Sequence, residues 1–169
     1  MFGMQQRPSF LSFSGVITDI RISDNRGRYD SCSHIVTVEN EAGNTANFLM
    51  SPQTFVADQT TLYESLPVTV FYNGNAAAPL IYPPQFTADV IVPQAEDRMV
   101  FVGWFNNVLM SSDQSLRLNV SPSTVVVTEN NQTFFGNPGG HVLVVFYSQS
   151  TRSLPAQTTP EKIVVLCGY

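Results

Sequence analysis

Cys32 and His34 stand two residues apart, a spacing that puts both side chains on one face of a strand. With His141 and Cys167 they would complete the four nitrogen and sulfur ligands of a zinc site. Zinc sites ordinarily carry Cys-x-x-Cys or His-x-x-x-His pairs, and neither occurs here, so the expectation is a half-buried thiol beside a polar histidine, with no metal and no cofactor. Nucleophilic catalysis needs a Ser or Cys within reach of an oriented His. His34 and His141 are the only histidines and there is no Gly-x-Ser-x-Gly elbow, which leaves a Cys32–His141 dyad as the one thiol arrangement open.

The other chemistries have weaker footing. The 13 Asp and Glu residues are spread through apparent turns and strand edges, and the adjoining Glu96 and Asp97 sit in a polar stretch where solvation accounts for them. Gly136-Asn137-Pro138-Gly139-Gly140 is glycine-rich but lacks the Lys-Ser/Thr continuation of a phosphate loop, so it reads as a turn. Asn119-Val120-Ser121 and Asn131-Gln132-Thr133 match a glycosylation pattern too short to carry function by itself.

Aromatic side chains are the remaining candidates. Phe71-Tyr72 and Phe146-Tyr147 are adjacent pairs that must point to opposite faces of their strands, so one ring of each fills a core and the other covers the outside. The functional alternative is an aromatic platform of Tyr72, Tyr147 and Trp104 on which a ligand stacks.

The elements that must position these residues follow from composition and pattern. Charged residues are only 12% of the 169, against roughly 25% in an ordinary globular chain, while hydrophobic residues make up 43%. Long surface helices solvate themselves with Lys and Glu, so this profile favours strands. In Leu116, Leu118 and Val120, alternating with Arg117 and Asn119, the period is two. Ile35–Glu39 and Thr45–Met50 flank a Gly-containing turn and read as a hairpin. Val142–Tyr147 and Ile163–Leu166 are unbroken apolar runs, the pattern of strands buried on both faces. Ser51-Pro52 admits a helix start, whereas Val125-Val126-Val127 after Ser121-Pro122 favours a hairpin.

The chain also repeats itself. Phe13-Ser14-Gly15 corresponds to Phe101-Val102-Gly103, Ser51-Pro52-Gln53-Thr54 to Ser121-Pro122-Ser123-Thr124, Val70-Phe71-Tyr72 to Val145-Phe146-Tyr147, and Pro83-Pro84-Gln85 to Pro155-Ala156-Gln157. The order is the same and the offsets lie between 70 and 88 residues. With the polar segment Pro93–Arg98 as linker, the reading is an all-β chain of little helix. It comprises two tandem OB-like Greek-key β-barrels, residues 11–95 and 96–169, each with about five strands. An immunoglobulin-like sandwich is the runner-up and needs more residues per copy. The strings SPQTFV, VTVFYNG, PLIYPPQFTADVIV and TRSLPAQTTPEKIVVL resemble small OB-like β-domains of uncharacterised proteins from clostridia and related bacteria. The resemblance covers most of the chain from Phe13 onward and implies a fold but no activity.

A formal charge of −5 works against polyanionic partners. Arg21, Arg26 and Arg28 are interleaved with Asp19, Asp24 and Asp30 and read as a solvated loop. No stretch has the apolar core of a secretory signal or the length of a membrane span, so a soluble, cytoplasmic location is expected. The functional expectation is a noncatalytic binding or protein-interaction module, not an enzyme, with a protein or small molecule as partner. A metal-dependent or thiol enzyme using Cys32, His34, His141 and Cys167 is one alternative, and a single-stranded nucleic-acid-binding OB pair is another. The doubly apolar strand Val142–Tyr147 further predicts that the two barrels pack together, with a homodimer if apolar surface remains.

Overall fold

The computed structural model describes residues 7–25 and 28–169, with side chains described for 7–23 and 31–169. The chain is all-β, and the helical turn among the described residues is a three-residue 3-10 segment, Ala57–Gln59. It divides into two compact units, one of residues 9–94 and one of residues 95–169 joined by Arg7 and Pro8.

The 9–94 unit contains β1 (Phe10–Asn25), β2 (Arg28–Glu39), β3 (Thr45–Met50), β4 (Phe55–Val56), β5 (Pro67–Asn73), β6 (Gln85–Thr87) and β7 (Val90–Pro93). β1, β2 and β3 form an antiparallel meander, β5 pairs with the N-terminal half of β1, and β7 runs antiparallel to β5. β6 lies parallel to β3. β6 and β7 are one stretch of chain interrupted at Ala88-Asp89, where the Ala88 N–H donates to the Leu49 carbonyl and the Asp89 N–H to the Phe71 carbonyl, both at 2.9 Å. Residues 85–93 therefore tie β3 to β5, and the ladder closes on itself. The inward set is Ile17, Val36, Val38, Phe48, Val68, Val70 and Ile91, with Phe13, Tyr72 and Phe86 packed against it. Burying a side chain such as Phe48 contributes about 1.5–3 kcal/mol.

The 95–169 unit contains β8 (Met99–Phe105), β9 (Leu116–Leu118), β10 (Val125–Thr128), β11 (His141–Tyr147), β12 (Ala156–Thr158) and β13 (Lys162–Leu166). β8 and β13 flank β11 in antiparallel pairing, β12 lies parallel to β9, and β9 returns to β8 through the bridges Met110↔Arg117 and Phe105↔Ser111. Its core joins Phe105, Leu116, Leu118, Leu143, Val145, Ile163 and Val165. Both faces of β11 are buried, since Val142, Val144 and Phe146 are covered as well as Leu143 and Val145.

The two Ser-Pro-x-Thr segments make the same bonds. Thr54 Oγ1 accepts the Ser51 N–H (3.1 Å) and donates to the Ala88 carbonyl (2.7 Å). Thr124 Oγ1 accepts the Ser121 N–H (3.2 Å) and donates to the Pro160 carbonyl (2.7 Å). Each turn then feeds a short strand parallel to the last strand of its unit, β4 on β7 and β10 on β13. The Tyr82–Pro83 and Leu154–Pro155 peptides are both cis.

Three local expectations are corrected. Ser51-Pro52 starts a turn and not a helix, because the Thr54 hydroxyl is bonded across to residue 88 and Phe55 continues as strand. Asp58 and Gln59, at φ 59° and 51°, then end the 3-10 turn in the left-handed region. Arg21 lies not in a solvated loop but in β1, bonded to Asp19 Oδ2 (3.0 Å) and Thr37 Oγ1 (3.2 Å). Arg21, Asp19 and Thr37 share the face of the β1–β2–β3 meander opposite to buried Val36, so this charge is compatible with strand pairing. Arg26 lies outside the described residues, as do the side chains of Asp24, Arg28 and Asp30. The strand at Leu116 stops at Leu118, and Val120 is exposed where the chain turns toward Ser121.

Candidate functional site

The three aromatic residues expected to form a platform are not brought together. Tyr72 belongs to the 9–94 unit and points inward, its ring stacked on Phe86 with centroids 4.2 Å apart. Tyr147 points inward in the other unit, packed against that core. Burial pushes both phenols up from their ordinary 10.0. Trp104 is opposite Val142 in the β8–β11 register, on the face shared by Val102, Val142 and Val144 and opposite to that of Tyr147. Two of the three rings thus pack against the cores of their units, and the third stands on the opposite face of its strand.

Trp104 is half-buried at the floor of a cleft of about 800 Å³. Gly103 beside it faces the other way: a Cβ there would come 2.8 Å from the Phe101 ring, which lies edge-on to Phe105 at 5.6 Å. One wall is the turn after β8. Asn106 Oδ1 accepts the N–H groups of Val108 and Met110, each at 3.0 Å, and holds Leu109 at φ 61°.

The second wall is the loop Ser111–Ser115, tied to β8 by the Ser112 N–H donating to the Trp104 carbonyl at 2.9 Å. Ser111, 2% exposed, accepts the Ser115 and Leu116 N–H groups on its hydroxyl oxygen and donates to Asp113 Oδ1 at 2.6 Å. The Ser115 hydroxyl (2.7 Å) and N–H (3.0 Å) also donate to Asp113 Oδ1. Partial burial pulls the Asp113 pKa upward, but these bonds from Ser111 and Ser115, with one from its own amide, outweigh it and hold the carboxyl below its ordinary 3.8. The bonds from Ser111 and Ser115 converge on Oδ1. Leu154, 91% exposed, and Pro155 complete the rim. The Arg7 guanidinium lies over the Trp104 ring, 3.5 Å from its centroid.

A second concavity of about 520 Å³, in the 9–94 unit, runs past Gly15, Glu39, Glu41 and Gln94 and has no aromatic floor.

The candidate metal ligands are dispersed. Cys32 and His34 lie on β2 with Cys32 exposed rather than half-buried as expected, because β2 there has run past its last pair with β3, His34↔Met50. Cys167 is exposed beyond β13. His141 Nδ1 sits 3.2 and 3.1 Å from the Pro138 and Gly139 carbonyls; both only accept, so this nitrogen carries the hydrogen. Among the described residues no three His, Cys, Asp or Glu side chains are grouped to hold a metal ion. No helix among them is long and apolar enough to cross a membrane.

Sequence reasoning named Trp104 but missed Arg7, Asn106, Ser111 and Asp113. The available signal was the polar run Ser111-Ser112-Asp113-Gln114-Ser115 between Phe105 and Leu116, whose Ser and Asp residues favour side-chain-to-backbone turns. Comparison of the chain with protein-family models, with curated proteins and with solved structures gives no match in any of the three.

Proposed function

We propose that the chain is a noncatalytic binding protein built as two OB-like barrels in tandem, and that the Trp104 cleft of the second barrel is its ligand site. The strand pairing supports the fold reading. In each unit the first three strands or bridges run in sequence, the last segment is parallel to the third and antiparallel to the fourth, and the fourth returns to the first. The matching Ser-Pro-x-Thr bonds support a duplication.

The observation that carries the site is its place in that order. The cleft is walled by the turn between the first two strands, residues 106–110, and by the loop between the last two, at Leu154-Pro155. These are the loops through which OB barrels take up oligonucleotides and oligosaccharides. The same residues support binding without catalysis: the Ser111 hydroxyl and Asp113 Oδ1 are spent on building the loop, and a carboxyl held low is an acceptor, not a base tuned near neutrality.

Trp104 is the single tryptophan, so intrinsic emission reports on the cleft directly. Screening oligosaccharides, peptides and single-stranded oligonucleotides by Trp104 emission should identify a class that shifts it. Calorimetry should then show that binding lost in Trp104→Ala. Ligands that bind Trp104→Ala as tightly as the wild-type chain would refute the assignment.

A further inference from the structure

The ligand class is legible in what already sits in the cleft. We propose that the Trp104 cleft is a receptor for a guanidinium group, taking an arginine side chain of a peptide, and that the chain's own Arg7 is its resident competitor. The inference rests on the cleft being the ligand site and adds the chemistry it selects.

Three features of the cleft converge on that cation. The indole face is the strongest cation–π acceptor among side chains, and Arg7 Cζ stands 3.5 Å from the ring centroid, the spacing of a planar group stacked flat on it. Asp113 shares the same cleft, its charge maintained by Ser111 and Ser115, so a cation entering over Trp104 meets an ionised carboxylate. Gln114 adds an amide oxygen, while the exposed Leu154 offers an apolar contact for the methylene stem of an arginine or its neighbour in a peptide. A guanidinium is planar, weakly hydrated and able to stack and donate in its plane at once. An ammonium cannot do both, so the site should distinguish arginine from lysine. The whole-chain charge of −5 favours approach of a basic peptide.

Arg7 lies on the same chain and so competes as an intramolecular ligand. A tethered group presents an effective concentration in the millimolar range, so an external arginine must bind against it and appears weak in the wild-type chain. Removing the Arg7 side chain should therefore raise affinity for the external ligand.

The test uses full-length protein and N-acetyl-arginine amide, followed by Trp104 emission and by calorimetry. Arg7→Ala should bind this probe about tenfold or more tightly than wild type, because the tethered competitor is gone. Within the Arg7→Ala background, N-acetyl-lysine amide and the neutral N-acetyl-citrulline amide should bind more weakly than the arginine probe, and Asp113→Asn should weaken it. An Arg-containing tripeptide that binds more tightly than the single amide supports a peptide over free arginine as the ligand. Arg7→Lys, which keeps the charge and the stem, guards against a folding artefact and should show an intermediate gain.

If Arg7→Ala leaves both the Trp104 emission and the arginine affinity unchanged, or if lysine and citrulline bind as well as arginine, the guanidinium assignment is wrong. An oligosaccharide or oligonucleotide that binds Arg7→Ala, with no response to the arginine probe, overturns this inference and leaves the cleft as a ligand site. Binding of every ligand undisturbed by Trp104→Ala overturns both.

Discussion

The two units share a closing frame and differ in the connection that follows their first strand. In the 9–94 unit that connection is a ribbon, with β1 of 16 residues and β2 of 12 continuing past the sheet. In the 95–169 unit β8 has 7 residues and the chain turns back at once through Asn106–Met110. The short turn leaves the outer face of β8 reachable at Trp104, and a cleft forms there. The comparison separates two kinds of constraint. Bonds that join distant segments, such as Thr54 to Ala88 and Thr124 to Pro160, recur in both units. The connection after the first strand bears on neither closure, and it is where the units diverge.

The largest effect expected from breaking this comparison is at the paired glycines. A Cβ on Gly15 would collide with the backbone of Glu39 and meet the Asn40 amide at 3.0 Å, where β1 exchanges β5 for β2 as partner. At Gly103 the nearest atoms belong to the Phe101 ring, which can swing. Gly15→Ala should cost about 3 kcal/mol and Gly103→Ala less than about 1 kcal/mol, read from urea unfolding. Equal losses would mean that the two Phe-x-Gly segments share one structural role.

The threonines test the opposite side, where the units should agree. Thr54→Val and Thr124→Val keep the shape of the side chain but strand a Ser N–H and a carbonyl in each unit. Each should destabilise by about 1–2 kcal/mol. A loss in one unit with none in the other would separate the two turns despite their identical bonds.

The all-β character was legible because low charge and period-two alternation are direct consequences of strands with one solvated face. So was the hairpin from Ile35 to Met50, whose turn closes through the Asn40 N–H on the Asn44 carbonyl with Gly43 at φ 83°. The continuation of β1 beyond Asp19 was not legible, since Asp19 and Arg21 put charge on one face of a strand where sequence alone suggests a loop. Nor was the direction of Tyr147: in a run apolar on both faces, alternation says that Phe146 and Tyr147 diverge but not which one enters the core. The Trp104 cleft was hidden for another reason. Its parts come from residues 7, 104, 106, 113 and 154, and only folding brings a lone arginine near the N-terminus onto that ring.

Asp113 offers the smallest effect and the one most specific to the 95–169 unit. Its folded pKa is held below 3.8 by Ser111 and Ser115, against the upward pull of partial burial. A carboxyl whose pKa is depressed on folding contributes stability above its unfolded pKa and loses it as pH falls through the folded value. Asp113→Asn should therefore destabilise the protein at pH 6, since the amide replaces a charge that accepts several bonds. The difference from wild type should narrow as pH drops below 3.8, where the wild-type carboxylate itself becomes protonated. Because the side chain is exposed, solvent screens the effect and it should be under about 1 kcal/mol. Trp104 emission during urea unfolding reads it locally, at the loop wall that Asp113 helps to build. A gap between variant and wild type that stays constant from pH 6 to pH 3 would show that the loop depends on the shape of the side chain and not on its charge.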